Sequence, residues 1–113
     1  MGNLFLEYTE NPIICKCGVH LSSIENTSSS QIESNEGILI ATNEILNVYF
    51  ENQTLNSTLI KSRSVYLFDP EAVHRGSISR KMKCKNCGQE LGYSFYRQKV
   101  MKYLLIVNRI SII

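Results

Sequence analysis

Residues 82–95 read Met82-Lys83-Cys84-Lys85-Asn86-Cys87-Gly88-Gln89-Glu90-Leu91-Gly92-Tyr93-Ser94-Phe95, a tight cysteine turn that opens directly into an alternating strand. Two thiols separated by two residues, with glycine straight after the second, are the turn in which backbone N–H groups can point at metal-bound sulfur. The chain carries one other pair, Cys15-Lys16-Cys17, also followed by glycine at Gly18. Cys17-Gly18-Val19-His20-Leu21 and Cys87-Gly88-Gln89-Glu90-Leu91 share the pattern C-G-x-x-L, so the domain holds two similar turns about seventy residues apart. Together Cys15, Cys17, Cys84 and Cys87 offer four sulfurs for a tetrahedral structural zinc ion. The C-x-C spacing of the first pair is tighter than usual. His20, three residues after Cys17, is therefore an alternative ligand to Cys15.

Working outward, short apolar segments broken by Asn, Ser, Gly and Asp predict a mostly β chain, and no window holds a helical period for three turns. Predicted strands are 12–16, 37–41, 45–50, 57–61, 64–68, 78–84, 92–97 and 102–108. Asp69-Pro70-Glu71 predicts one helical turn over 70–74. The Ser- and Asn-rich run over 22–35 predicts a flexible loop. The tail Ile110-Ser111-Ile112-Ile113 reads either as a cover for a partner or as a last core strand.

At 113 residues, 43% apolar and 19% charged, the chain has room for a single domain over 1–113 and only a modest core, for which a metal staple is useful. No apolar run is long enough to cross a bilayer, and Leu104–Val107 is typical of their length. The start, Met1-Gly2-Asn3-Leu4-Phe5-Leu6-Glu7, lacks a basic region and a sustained apolar region, so an intracellular protein of nucleus or cytoplasm is expected, in a reducing compartment that disfavours disulfides.

The net charge of +2 is unevenly spread. Residues 1–60 carry one base, Lys16, against seven acids, whereas residues 61–113 carry eleven bases against three acids. Such a split is expected either of an acidic partner for the second half or of acidic strands folding against basic ones. Arg80, Lys81, Lys83, Lys85, Arg97 and Lys99, interleaved with Tyr93, Phe95 and Tyr96, are the candidate nucleic-acid-binding set. Four thiolates fill a tetrahedral ion's shell, and no phosphate-cradling glycine loop or G-x-S-x-G is present, so the chain is expected not to be an enzyme and to have no small-molecule substrate.

Residues 82–95, followed by Lys102-Tyr103-Leu104-Leu105-Ile106-Val107, resemble the second half of the Yippee-like and Mis-eighteen zinc-binding domains. Their pattern is C-x-x-C-x-x-x-L-G-(aromatic)-x-(aromatic), then a basic residue and an apolar final strand. Cys17-Gly18-Val19-His20-Leu21 is similar to the first Yippee knuckle, and Val65-Tyr66-Leu67-Phe68-Asp69 to its middle strand. At the first knuckle the chain departs from the family: Ile14 stands on the expected cysteine position and Cys15 is one residue late. The resemblance implies a β-tent, two antiparallel sheets pinned by a zinc ion between two knuckles, used for protein–protein assembly as a homo- or hetero-dimer. Cys84-Lys85-Asn86-Cys87-Gly88-Gln89-Glu90-Leu91-Gly92 is also similar to the knuckle of the RIG-I-like helicase C-terminal domain, with Leu91 in place of tryptophan, which implies RNA or DNA binding as the alternative function. The chain lacks the final-strand cysteine of methionine-sulfoxide reductases and the tryptophan cage of cereblon-type domains.

Overall fold

The computed structural model describes residues 11–51, 58–62, 65–69, 78–97 and 100–112. Its strands are β1 (Pro12–Cys15), β2 (His20–Ser23), β3 (Thr27–Ser34), β4 (Gly37–Thr42), β5 (Val48–Phe50), β6 (Thr58–Ser62), β7 (Val65–Asp69), β8 (Ile78–Cys84), β9 (Glu90–Arg97), β10 (Val100–Ile106) and β11 (Ile110–Ile112). Among the described residues the helical content is limited to 3-10 turns, at Ile24–Asn26 and Val107–Arg109. Among the described residues no helix is long and apolar enough to cross a membrane. The predicted helical turn over 70–74 lies outside the described residues.

The strands form two sheets. The smaller has the order β11-β1-β2 and the larger β5-β8-β9-β10-β4-β3-β7-β6. Pairing is antiparallel throughout, apart from one parallel contact of Ser34 with Tyr66 that attaches the β6–β7 hairpin to β3. In the smaller sheet Ile13 pairs with Ile112 and Cys15 with Ile110, so the tail forms an edge strand that buries Ile110 in the core and leaves Ile112 exposed.

Alternation along the central strands decides what each face buries. Ile40, Met82 and Leu105 point from the larger sheet toward Ile13, Leu21 and Ile110 of the smaller one, forming the core between the layers. The opposite face carries a second cluster of Leu39, Tyr93, Phe95, Leu104 and Ile106. β10 is buried on both sides, which explains its unbroken apolar run, Leu104-Leu105-Ile106. At Gly92 the backbone of β10 comes so close that a Cβ would sit 1.8 Å from the Leu104 carbonyl oxygen. Only glycine lets β9 and β10 approach there.

The stretch over 22–35, predicted as a loop, is instead the end of β2, a 3-10 turn and the whole of β3. Its strand character comes from its neighbour. A two-residue turn at Asn35-Glu36 folds β3 back on β4, and the Ser34 hydroxyl braces the turn by donating to the Gly37 carbonyl at 2.7 Å and accepting from the Glu36 N–H at 3.1 Å. Gln31 and Glu33 stay exposed while Ile32 packs against the second cluster. A polar sequence is thus held extended by pairing rather than by its own propensity.

Candidate metal centre

Each sheet supplies one knuckle. Cys15 ends β1 and Cys17 sits in the turn to β2, while Cys84 ends β8 and Cys87 sits in the turn to β9. The two turns are built alike from backbone hydrogen bonds. In the first, Cys15 N–H donates to Val19 O (2.9 Å) and Gly18 N–H to Cys15 O (2.8 Å). In the second, Cys84 N–H donates to Gln89 O (2.9 Å) and Gly88 N–H to Cys84 O (2.9 Å). The first is simply one residue shorter, which is how C-x-C does the job of C-x-x-C. Gly18 and Gly88 have φ of 101° and 78°, left-handed values that L side chains rarely adopt, although nothing crowds either position.

The knuckles meet at the seam between the sheets. The Sγ atoms of Cys15, Cys17, Cys84 and Cys87 all lie within 4.8 Å of one another. Across the seam Cys15 and Cys87 are 3.5 Å apart, as are Cys17 and Cys84. Metal–sulfur bonds of about 2.3 Å in a tetrahedron require sulfur separations of about 3.8 Å. The cluster therefore fits a metal ion, and four soft thiolate donors suit zinc among the common divalent ions. Cys15 and Cys84 are buried; Cys17 and Cys87 are exposed.

Asn86 donates to two of these sulfurs. Cys84 Sγ accepts from the Asn86 N–H at 3.4 Å, and Cys17 Sγ accepts from the Asn86 side-chain amide at 3.5 Å, a contact from one knuckle to the other. That amide, with the Val19 N–H, pulls the Cys17 thiol down to about 6, whereas burial pushes Cys15 up to about 12. Behind the sulfurs, Asn47 forms a clip: its carbonyl accepts from Lys85 N–H (2.9 Å) on one knuckle, and its amide donates to His20 O (2.7 Å) just beyond the other. Neither asparagine was singled out from sequence. Asn86 lies inside the C-x-x-C turn, but Asn47 lies thirty-seven residues before Cys84 and only the fold brings it there.

His20, the alternative ligand, is not part of the cluster; its Nε2 is buried without a hydrogen-bond partner among the described residues. Cys15 is brought to the sulfurs even though it stands one residue late against the Yippee pattern.

The candidate nucleic-acid set is dispersed. Arg80 and Lys81 alternate to opposite faces of β8. Lys83 pairs with Glu51 at 2.9 Å and Lys81 with Glu90 at 3.6 Å. The first of these pairs joins a base of the second half to an acid of the first, as the intramolecular reading of the charge split expects. Lys85 is exposed on the second knuckle. Lys99 and the side chain of Arg97 lie outside the described residues. Tyr93 and Phe95, candidates for base stacking, are instead buried in the second cluster, where Tyr93 donates its phenol proton to Glu36 Oε1 at 2.7 Å.

No protein-family model matches this chain, and no curated protein matches it.

Proposed function

We propose that this domain is a non-catalytic zinc-binding module for protein–protein assembly, related in architecture to the Yippee-like and Mis-eighteen domains. The observation that carries the reading is the closed set of four sulfurs contributed two by two from separate sheets. Cys15, Cys17, Cys84 and Cys87 would hold the ion, which supplies a covalent-strength tie between the layers and, with all four positions taken by protein, keeps no place for a reacting water. Such a centre is worth on the order of 10 kcal/mol to folding, comparable with the whole stability of a domain this size. Assembly is supported by the edge position of β11, whose Ile112 side chain is exposed, and by exposed Ile38 on β4.

Elemental analysis coupled to native mass spectrometry tests both parts together. One zinc per chain in a species of two or more chains, or in complex with a captured protein, is the expected result. A zinc-free chain overturns the metal reading. A zinc-loaded monomer at tens of micromolar that recovers no partner by pull-down overturns the assembly reading.

A further inference from the structure

The four sulfurs are not equivalent, and their differences are paired across the seam. Exposed Cys17 lies 3.5 Å from buried Cys84, and exposed Cys87 lies 3.5 Å from buried Cys15. Cys17, Cys87 and Cys15 border an open hollow of about 220 Å³ with Lys16 and Arg109 on its rim, enough room for a small hydroperoxide. We propose that the cluster is a site of reversible oxidation, in which the exposed sulfurs attack a hydroperoxide, the ion is released, and the sulfurs close into two inter-sheet disulfides, Cys17–Cys84 and Cys15–Cys87. The inference goes beyond the assembly reading and rests on its metal centre.

The chemistry balances on these residues and the peroxide alone. The Cys17 thiolate displaces hydroxide from hydrogen peroxide, breaking the O–O bond and becoming a sulfenic acid. The Cys84 thiolate, already beside it, attacks that sulfur; the S–S bond forms, the S–O bond breaks and a second hydroxide leaves. Two electrons pass from the sulfur pair to the peroxide, and two protons from solvent turn both hydroxides into water. A second peroxide does the same at Cys87 and Cys15. Each exposed sulfur meets oxidant first because access governs the initial attack, and each has a buried resolving partner. The Asn86 amide on Cys17 Sγ holds that sulfur in place for attack. Because both disulfides join the same two sheets, over sequence separations of 67 and 72 residues, loss of the ion leaves the layers tied.

The pairing is what a simpler zinc site would not produce. Within the second knuckle, Cys84 and Cys87 have the spacing of an ordinary C-x-x-C disulfide, so Cys84–Cys87 is the rival product. Trypsin separates the possibilities, since Lys16 lies between Cys15 and Cys17 and Lys85 between Cys84 and Cys87. Metal content of the reduced full chain is measured first. Hydrogen peroxide is then added, metal release is followed with a chromophoric chelator, and tryptic peptides are mapped without reduction. The expected result is one ion released per chain, at a rate proportional to peroxide, with peptides cross-linked as Cys17–Cys84 and Cys15–Cys87 that a dithiol and fresh zinc reverse. Dominant Cys84–Cys87 or Cys15–Cys17 peptides, sulfinic or sulfonic acids without cross-links, or thiols that survive peroxide with the ion in place would each overturn it. A chain that holds no ion at the outset counts against the metal centre instead, and its own disulfide map still decides the pairing.

Discussion

Cys15 and His20 compete for one role in the sequence, and the backbone settles between them. Cys15 closes its knuckle with hydrogen bonds to Val19 and from Gly18, which bring its Sγ to the cluster, whereas His20 has already entered β2 and points elsewhere. Cys15→Ser should therefore lower zinc content from one per chain and abolish the cooperative melt, while His20→Ala keeps the metal; inductively coupled plasma analysis of both variants reads the difference. Wherever the reduced knuckles stay packed without the ion, Cys15 and Cys17 should titrate apart. Cys17, held down near 6 by the Asn86 amide, gives a contribution present above the ordinary thiol value of 9.0 and lost as pH falls through about 6. Cys15, pushed toward 12 by burial, behaves the opposite way: its contribution is whole below 9.0 and lost as pH rises toward about 12. Thiolate absorbance near 240 nm, read on metal-free reduced protein that still gives the folded spectrum, should show Cys17 ionising near pH 6 and Cys15 still protonated at pH 10; these two titrating together near 9.0 in that folded material would contradict the packed knuckles. Asn47→Ala removes a hydrogen bond to His20 O and a residue suited to φ of 58°, for a cost of about 1–2 kcal/mol by chemical denaturation.

Strands announced themselves where apolar residues alternate or run together, and stayed hidden where a neighbour supplies the order. β4, β5, β8, β9 and β10 fall within a few residues of the segments predicted from their β-branched and aromatic content. β2 and β3 do not, because a run of Ser, Thr and Asn has turn chemistry and strand geometry equally open to it, and only pairing with β1 and β4 selects the second. Those hydroxyls have a use that composition conceals. Ser22 of β2 and Thr42 of β4 are buried between the sheets with their oxygens 2.8 Å apart, Ser22 donating also to Glu44 O at 2.9 Å. This polar pin ties β2 of the smaller sheet to β4 of the larger. Ser22→Ala or Thr42→Val removes one buried hydrogen bond between the layers, while Thr42 keeps Asn26 O and Glu44 O and Ser22 keeps Glu44 O, and should cost about 1 kcal/mol without changing zinc content. Gly92→Ala is expected to be harsher, more than about 3 kcal/mol, since β9 must move off β10 to relieve a clash with the Leu104 backbone; loss of soluble protein or of the folded spectrum checks it.

For the molecule as a whole, the knuckle pair was legible because cysteine spacing is a chemical signature, while the two supporting asparagines and the second buried cluster depend on contacts that only the folded chain makes. The same holds for the charge split, partly answered inside the domain by Lys83 and Glu51. Chelation under reducing conditions should separate the sheets, seen as loss of the cooperative melt and recovered on adding zinc; a chain that melts identically with and without chelator does not use the ion as a staple. Placement of β11 against β1 has a further consequence. With Ile13 opposite Ile112, the start of β1 and the end of β11 lie side by side in the smaller sheet. A tensile load applied across those two residues would thus peel β11 away one rung at a time before it reached the sulfur clasp.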